Sequence, residues 1–379
     1  MGLTRRRALL AVAAPLLLLV AACTGDESDD AAPRTGEGVN ESTTTDDDAT
    51  TTEVPDASGD EPTTTGPPAE GPAPTAPGLD APIVAPGPIG GSRFVARVEP
   101  DPDPEGGGRL VVEDRETRTE RVVADRRDAT PSYPQVSADG QVVAWSESTG
   151  DSDATNLVIR TGGALDVRAD APNAGCARWM ADGRLLATVF TGGDTGHLVL
   201  VSPADGSVED LPIELEDAVC AAPAGADHVV VPVVVGEPFG PGGYDLVRYS
   251  LDGRHGEQVG HLPGGCSTNA IATDPAGTRA AVSLYCDDTS RNAIWVVDLD
   301  GGARPLVAEN EIGAEFAASA QYWDPAWSAD GTVIAYQRSE PGPDDERNIS
   351  HIWLVTVATG ATALLGEQAA FAPGLSLAG

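Results

Sequence analysis

The stretch that decides the fold is Pro325-Ala-Trp-Ser-Ala-Asp-Gly-Thr-Val-Ile-Ala-Tyr336, in which an Asp-Gly pair separates two largely apolar runs. It is nearly reproduced upstream as Pro134-Gln-Val-Ser-Ala-Asp-Gly-Gln-Val-Val-Ala-Trp145. An Asp-Gly pair between two apolar runs indicates a tight β-hairpin turn, because glycine tolerates a positive φ. The sequence therefore predicts a hairpin that recurs along the chain. Weaker copies surround Asp182-Gly183, Gly225 and Asp274-Pro275-Ala276-Gly277.

A second pattern accompanies the hairpins: an apolar strand, a turn with glycine or charged residues, and another strand. It is clearest at Ile294-Trp-Val-Val-Asp-Leu-Asp-Gly301 and Ile352-Trp-Leu-Val-Thr-Val-Ala-Thr-Gly360. With four weaker copies there are six such strands, and successive ones begin 41 to 58 residues apart. Such a period is typical of propeller blades. We therefore predict an all-β, six-bladed β-propeller of four-stranded antiparallel blades, with the Asp-Gly turn between strands one and two. The other four strands begin at Leu110, Leu157, Leu198 and Leu246.

The two ends of the repeat region complement each other. The first blade begins after Gly90 with a second strand, Phe94-Val-Ala-Arg-Val98, and has no first strand before it. Residues Ala370-Phe-Ala-Pro-Gly374 have the pattern of a first strand and its turn, with no blade after them. We expect this C-terminal strand to pair with the N-terminal blade and close the ring, which removes the open edges that isolated sheets expose.

These hairpins and strands carry a resemblance to a known family. The repeated Pro-x-Trp-Ser-x-Asp-Gly hairpins, followed by Ile-Trp-Leu-Val strands, resemble TolB-type, WD-like β-propellers over residues 91–379. The match is poorest in the fourth and fifth blades, which leaves a seven-bladed interpretation open. The resemblance implies a protein-binding or scaffolding role in the bacterial envelope. The family also includes domains attached to peptidases and lyases, so the fold alone does not choose among functions.

The N-terminus has the pattern of a secretory signal. Arg5, Arg6 and Arg7 precede an apolar run over residues 8–20, and small residues lead into Cys23. That run of about thirteen residues is shorter than the twenty or so that span a bilayer. The stretch Val20-Ala-Ala-Cys23 resembles a bacterial lipobox, whose cysteine sulfur accepts diacylglycerol. We predict a signal peptide over residues 1–22 and a lipid anchor at Cys23 that holds the protein on the extracytoplasmic side of the cell membrane.

The segment between the anchor and the repeats has a different composition. Residues 24–90 contain no aromatic residue and consist mainly of Thr, Pro, Asp, Glu, Gly and Ala. Such a segment cannot bury enough apolar surface to offset its conformational entropy. We predict that residues 23–90 form a disordered tether, which carries the propeller of residues 91–379. Glycosylation of its Thr clusters is an open alternative function.

Charge and composition exclude two classes of function. The formal net charge is −36; residues 24–90 hold fifteen acidic residues and one Arg, and residues 91–379 hold forty-four acidic residues and nineteen Arg. Neither part has a basic patch, so we expect no nucleic-acid partner. All 23 basic residues are arginine, and without lysine no Schiff base or lysine nucleophile can form.

Four cysteines follow Cys23, an even number that favours disulfides in an exported domain. Cys266 and Cys286 lie symmetrically about a hairpin turn, so a two-stranded ladder places them opposite each other. Cys176 and Cys220 both precede the first turns of their blades, and we expect them to bridge the third and fourth blades. A four-cysteine zinc site is disfavoured because no Cys-x-x-Cys pair is present.

Acidic loops provide one candidate binding surface. In a four-stranded meander the loops between strands two and three leave on one face, together with the connections between blades. Their carboxylates could bind Ca²⁺ or attract a basic partner, although acidic loop tips also serve solubility alone, and no loop forms a complete calcium motif. The eight candidates are Asp101, Asp103, Asp151, Asp153, Asp287, Asp288, Asp344 and Asp345.

The predicted function is a surface-tethered, non-enzymatic propeller that binds a protein or another envelope component. The alternative is a lyase or glycosidase that acts on a polysaccharide with carboxylates at the central funnel. We assign no catalytic residue and expect no metal or other cofactor beyond possible Ca²⁺. An enzyme would need convergent acid and base groups with shifted pKa values in one pocket.

Overall fold

The computed structural model describes residues 84, 87–100, 107–126, 129–149, 155–162, 166–192, 195–215, 219–237, 239–286, 292–308, 321–341, 348–368 and 375–379. The predicted signal peptide, Cys23 and the first part of the tether lie outside the described residues. Among the residues described, no helix is long and apolar enough to cross a membrane.

The described strands form six sheets of four antiparallel strands each, which confirms the predicted six-bladed propeller. In blades 2 to 6 the strand order follows the chain, so each blade is a meander. Blade 1 combines β24 (Leu375–Ala378) with β1 (Phe94–Pro100), β2 (Gly108–Asp114) and β3 (Thr119–Arg126); blade 2 holds β4 (Ala129–Val136), β5 (Val142–Thr149), β6 (Thr155–Thr161) and β7 (Val167–Pro172); blade 3 holds β8 (Ala174–Trp179), β9 (Leu185–Gly192), β10 (Thr195–Val201) and β11 (Val208–Leu215); blade 4 holds β12 (Ala222–Pro223), β13 (His228–Val234), β14 (Tyr244–Ser250) and β15 (Gly256–Leu262); blade 5 holds β16 (Cys266–Thr273), β17 (Arg279–Cys286), β18 (Ala293–Asp298) and β19 (Ala303–Ala308); blade 6 holds β20 (Gln321–Trp327), β21 (Val333–Pro341), β22 (Asn348–Thr356) and β23 (Thr362–Gln368).

The first strands of the blades surround the centre of the ring. Each of β4, β8, β12, β16, β20 and β24 contacts the first strand of the next blade, and β24 contacts β4 to complete the circle. These strands therefore line a central channel, and the outer strands form the rim.

The C-terminal strand closes the ring, as predicted, but the closing strand is not the segment 370–374. β24 pairs antiparallel with β1, from Phe94 opposite Ala378 to Arg97 opposite Leu375. The alternating sequence Leu375-Ser-Leu-Ala supplies both an apolar face and unbroken backbone donors. Residues 371–374 lie outside the described residues; they include Pro373, which cannot donate a ladder hydrogen bond.

The predicted Asp-Gly hairpins owe their shape to a side-chain network. In blade 2, Ser137 Oγ donates to Asp139 Oδ1 (2.6 Å) and accepts from the Val142 amide (2.9 Å). Gly140 has φ of 71°, the left-handed region that this turn requires. The serine and aspartate side chains thus stabilise the turn that Gly140 allows. Blade 6 repeats the network with Ser328, Asp330 and Val333, at 2.9 Å and 3.0 Å.

The hydrophobic core lies between blades. The buried apolar residues of the described chain form six clusters; five of them join two neighbouring blades, and the sixth joins blades 4 and 5 with Cys176 of blade 3. Trp145 and Trp353, both fully buried, belong to the clusters of blades 1–2 and 5–6. Since each buried large apolar side chain contributes about 1.5–3 kcal/mol, contacts between blades stabilise the ring.

Residues 84 and 87–92, which we call the N-terminal strap, pack against blade 6. Ile89 is 4% exposed and joins the cluster between blades 6 and 1. Gly90 has φ of 50°, and a Cβ there would collide with the Ser328 side chain. The strap therefore fastens the start of the propeller to its last blade. Its hydrogen bonds are Val84 N to Leu364 O (2.9 Å), Asp330 N to Gly90 O (2.9 Å), Ala329 N to Ser92 Oγ (2.8 Å) and Arg115 Nε to Gly87 O (2.9 Å).

Candidate functional site

A cavity of about 430 Å³ opens at the end of the ring that carries the turns between first and second strands. All six first strands, or the residues next to them, contribute to its wall, so it lies on the channel axis. One lining residue from each of blades 1 to 6 is, in order, Ser376, Gln135, Arg178, Pro223, Thr273 and Trp327.

A repeated irregularity shapes the first strands next to this cavity. Tyr133, Cys176 and Asp324 each lie six residues before the turn aspartate of their blade. All three have left-handed backbone, with φ of 49°, 54° and 43°, and the pairing to the second strand is interrupted at each. Such a bulge redirects the side chain of the extra residue. Blades 2, 3 and 6 therefore each place a bulge residue at the equivalent position of the first strand.

Asp324 is the acidic member of this set. The residue is 2% exposed, and neither carboxylate oxygen has a hydrogen-bond partner. Burial raises the pKa of Asp324 to about 6, against the opposing effect of the Arg178 guanidinium. A buried carboxylate without donors is costly, so this side chain is a candidate for contact with a ligand.

Arg178 is a basic residue of the cavity wall that lies two residues after the bulge residue Cys176 of blade 3. The residue is 8% exposed; among the described residues its one hydrogen bond is from Nη1 to the Ala177 carbonyl (3.0 Å), and none of their carboxylates lies within salt-bridge distance. Burial lowers the pKa of its guanidinium, which Asp324 and Tyr133 partly offset. The wall of the cavity thus contains a cation without a carboxylate contact.

Tyr133 completes the group from blade 2. Burial raises the pKa of its phenol well above the ordinary range; the Asp324 carboxylate adds to this effect and Arg178 opposes it. The three residues influence one another although they belong to blades 2, 3 and 6.

The charges at the rim of the cavity are paired. Asp274 lies in the cavity wall and accepts from Arg279 Nε at 3.0 Å and from the Thr278 amide at 2.8 Å. Arg279 also donates to the Gly331 carbonyl (2.8 Å) and lies over the Trp327 ring, 4.7 Å from its centroid. These contacts join blades 5 and 6, and leave Asp274 no need of a further partner.

The predicted disulfides are both formed. Cys176 bonds to Cys220 and links the first-strand region of blade 3 to the residues just before β12. Cys266 bonds to Cys286, its direct partner in the β16–β17 ladder. The two predicted pairings are therefore confirmed. The first crosslink joins neighbouring blades, and the second lies within blade 5.

The other predicted site residues lie outside the described residues. These are the lipid-accepting Cys23 and the eight aspartates of the acidic face: Asp101, Asp103, Asp151, Asp153, Asp287, Asp288, Asp344 and Asp345. Within the described part of the chain, no group of three or more His, Cys, Asp and Glu side chains could hold a metal ion.

Tyr133, Arg178 and Asp324 were not predicted as site residues from the sequence. Its signal was nevertheless present, because aligning the repeats on their Asp-Gly turns places Tyr133, Cys176 and Asp324 in register. Trp179 and Trp327 occupy matching positions in the repeats of blades 3 and 6. Trp327 Nε1 donates to the Ala272 carbonyl of blade 5 (3.0 Å), and both tryptophans also line the cavity.

No protein-family model and no curated protein matches this sequence. Among solved structures, TolB from Acinetobacter baumannii is similar at 13% identity, over 77% of this chain and 68% of that chain, with a TM-score of 0.55. An oligogalacturonate lyase from Vibrio parahaemolyticus (11% identity, 73% of each chain, TM-score 0.43) and the β-propeller domain of the Trilobed protease from Pyrococcus furiosus (13%, 72% and 94%, 0.42) are similar at a lower level. The chain is therefore a six-bladed β-propeller with a TolB-like fold.

Proposed function

We propose that this chain is an extracytoplasmic lipoprotein, anchored to the cell membrane through Cys23, whose propeller is a binding scaffold in the cell envelope. The central cavity is the observation that carries the binding role. It is lined by all six blades, its wall includes the buried cation Arg178, and the buried carboxyl of Asp324 directly precedes the lining residue Pro325; among the described residues neither charge has a salt-bridge partner. Buried polar groups normally have partners, and a ligand or partner protein can supply them.

Export and anchoring are supported by two independent features. The arginines, apolar run and Val20-Ala-Ala-Cys23 stretch have the order of a lipoprotein signal. Two disulfides in the propeller fit an oxidising compartment outside the cytoplasm. A Pro-rich, acidic tether is more extended than a flexible Gly/Ser linker of the same length, whose average end-to-end distance would be about 45 Å.

The acidic face remains a second proposed surface. Because each blade is an antiparallel meander, the connections between its second and third strands are at the end opposite the turns that surround the cavity. A basic protein surface is the partner that their carboxylates would attract, and Ca²⁺ is the ion that they would bind.

The enzymatic alternative has less support in the cavity. Lyases and glycosidases need two groups with separate acid and base roles. Asp274 is held by Arg279 and backbone amides, whereas Asp324 lacks a hydrogen-bond partner. These two carboxyls therefore provide one group without a partner rather than two groups with separate acid and base roles.

Two measurements test the proposal. Cys23→Ala should move the protein out of the washed membrane fraction, and cleaved mutant protein retained in that fraction contradicts the anchor. For binding, the tethered chain is used to capture partners from native membranes. Arg178→Gln should lose a partner that Arg184→Gln retains, because Arg184 lies in an exposed turn of the same blade. Equal recovery with both variants contradicts the cavity as the binding site.

A further inference from the structure

The six first strands share one equivalent position at the same level of the channel. The ladder register defines it, because Gln135 lies opposite Ala144 in blade 2 and Ser376 lies opposite Ala96 in blade 1. Polar residues occupy this position in blades 1 to 3, and alanine occupies it in blades 4 to 6. One side of the channel is therefore polar at this level, and the other side has small residues. In blade order the six residues are Ser376, Gln135, Arg178, Ala222, Ala272 and Ala326.

The three polar residues belong to adjacent blades, and all three line the cavity. They are buried, and none of them is more than 8% exposed. Gln135 Nε2 donates to the carbonyl of the preceding residue at 2.8 Å, and Arg178 Nη1 does the same at 3.0 Å. These two side chains are therefore fixed in the wall, while their other polar atoms make no hydrogen bond within the described part of the chain.

One edge of the Arg178 guanidinium is open to the cavity. Its Nε and Nη2 atoms donate to no described residue, yet neither is a fully buried atom. The same edge binds carboxylates elsewhere in this molecule: Nε and Nη2 of Arg93 donate to the two carboxylate oxygens of Asp114 at 3.0 Å and 2.7 Å. Arg160 pairs with Asp166 in the same way. Since two parallel N–H groups match the two oxygens of a carboxylate, the open edge is suited to a carboxylate ligand.

The charges of the wall favour a ligand with a single negative charge. The charged side chains among the lining residues are Arg178 and Asp274, and Asp274 is paired with Arg279 at 3.0 Å. Asp324 does not line the cavity. An enclosed cation without a counter-charge is unfavourable, and a monoanion would balance it. A dianion would instead leave one buried negative charge without compensation.

The rest of the wall indicates the nature of the ligand's body. It is mainly apolar, with Trp179, Met180, Pro223, Trp327 and Leu375 among its residues. The small residues of blades 5 and 6 leave space on the side of the ring away from the polar residues. An apolar group in this space would be removed from water, which favours binding.

We propose that the cavity binds a small organic monocarboxylate, whose carboxylate pairs with Nε and Nη2 of Arg178 and whose apolar body packs on the side of Ala272 and Ala326. Gln135, on the neighbouring blade, has a second Nε2 hydrogen for the same carboxylate. The inference rests on the proposed binding function and names the ligand class for that cavity. A volume of about 430 Å³ falls within the range of small-molecule sites.

The test titrates phenylacetate and hexanoate calorimetrically into the purified full chain. Phenylacetamide and hexanamide are the uncharged controls of the same shape, and acetate is the control without an apolar body. We expect at least one of the two carboxylates to bind. Its amide should bind about ten- to a hundredfold more weakly, as expected for loss of a hydrogen bond to a charged group. Acetate should bind roughly tenfold more weakly or worse, because it buries little apolar surface.

Variants locate the carboxylate and the body separately. Arg178→Gln should weaken carboxylate binding by about ten- to a hundredfold and abolish the preference over the amide. Arg178→Lys keeps the charge without the planar fork and should restore only part of that preference. Ala326→Leu fills the space of the apolar body and should weaken the carboxylate and its amide alike. Circular dichroism confirms that each variant is folded.

Arg184→Gln is the matched control and should bind like the unchanged protein. Its guanidinium donates to Asp182 in an exposed turn of the same blade, away from the cavity wall.

The proposal is overturned if neither carboxylate binds, if the amides bind as tightly as the carboxylates, or if Arg178→Gln binds carboxylate like Arg184→Gln. These results remain separate from the test of the binding scaffold. A membrane partner lost with Arg178→Gln would still support the scaffold even if no carboxylate bound. Carboxylate binding without any captured partner would support this ligand site and contradict the scaffold.

Discussion

The two halves of the ring are held together by different means. Blades 6, 1 and 2 rely on hydrogen bonds: two Ser-x-Asp-Gly turns, the strand β24 and the N-terminal strap. Blades 3, 4 and 5 lack the Ser-x-Asp-Gly turn and contain both disulfides. The crosslinks therefore occur where the sequence departs most from the repeat.

Blade 4 shows what the crosslinks replace. Its first strand β12 has two residues, whereas the first strand of blade 2 has eight. Cys220 precedes β12 and is bonded to blade 3, so a covalent bond holds the segment where the backbone ladder is shortest. A disulfide to the neighbouring blade can thus hold a blade whose first strand is short.

Deleting residues 375–379 should have the largest effect, because it removes β24, the strand that closes the ring by pairing with β1. β1 would lose its partner strand, and the buried Leu375 would no longer fill the core. We expect a loss of roughly 5 kcal/mol or more in the free energy of unfolding. Thermal circular dichroism measures it, with a deletion of residues 24–60 as the control. A midpoint equal to that of the control would contradict a closed ring.

Loss of the disulfides should weaken the other half to different extents. The pair Cys176→Ser and Cys220→Ser opens a loop with a sequence separation of 44 residues, which corresponds to about 4 kcal/mol in the chain-entropy model. Cys266→Ser with Cys286→Ser opens one of 20 residues, or about 3 kcal/mol. Urea unfolding under non-reducing conditions gives both values. A smaller cost for the inter-blade bond than for the bond within blade 5 would refute this ranking.

Asp324 and Arg178 connect the two halves electrostatically, and pH tests that connection. The pKa of Asp324 is raised from 3.8 to about 6 in the folded protein, so the folded state holds more protons than the unfolded state between these values. Its contribution to stability is therefore lost as pH rises from about 4 to about 6, by roughly 3 kcal/mol. Asp324→Asn should remove this slope and stabilise the protein at neutral pH. An unchanged pH profile would show that the carboxyl is not buried.

The turn aspartates should give the smallest effects. Asp330→Ala removes acceptors for Thr332 and Ser328 and should cost about 1 kcal/mol per lost hydrogen bond. Asp182→Ala in blade 3 removes bonds to Arg184 alone, so we expect a smaller loss. Chemical unfolding of both variants measures the difference. A larger loss of unfolding free energy for Asp182→Ala would contradict the expected extra stabilisation by the Ser-x-Asp-Gly turn of blade 6.

The repeats, the closed six-bladed ring and both disulfides could be predicted from the sequence, whereas the exact closing strand and the charges of the channel could not. The hairpins follow from Asp-Gly pairs, and the bond between Cys266 and Cys286 follows from their equal distance to one turn. The closing strand was misplaced because an apolar stretch and a proline turn near Phe371 have the same pattern as a first strand. The charges of the channel were missed because Arg178 and Asp324 are enclosed only when six blades close into a ring.

The N-terminal strap determines how the molecule would carry mechanical load. Tension applied from the N-terminal side reaches Val84 first and passes to the outer strand of blade 6 through its bond to Leu364. The bonds of Gly90 and Ser92 to blade 6, and of Gly87 to Arg115 in blade 1, then share the load before it reaches β1. Under tension the bonds of the strap would therefore break first, before the pairing between β24 and β1 is loaded.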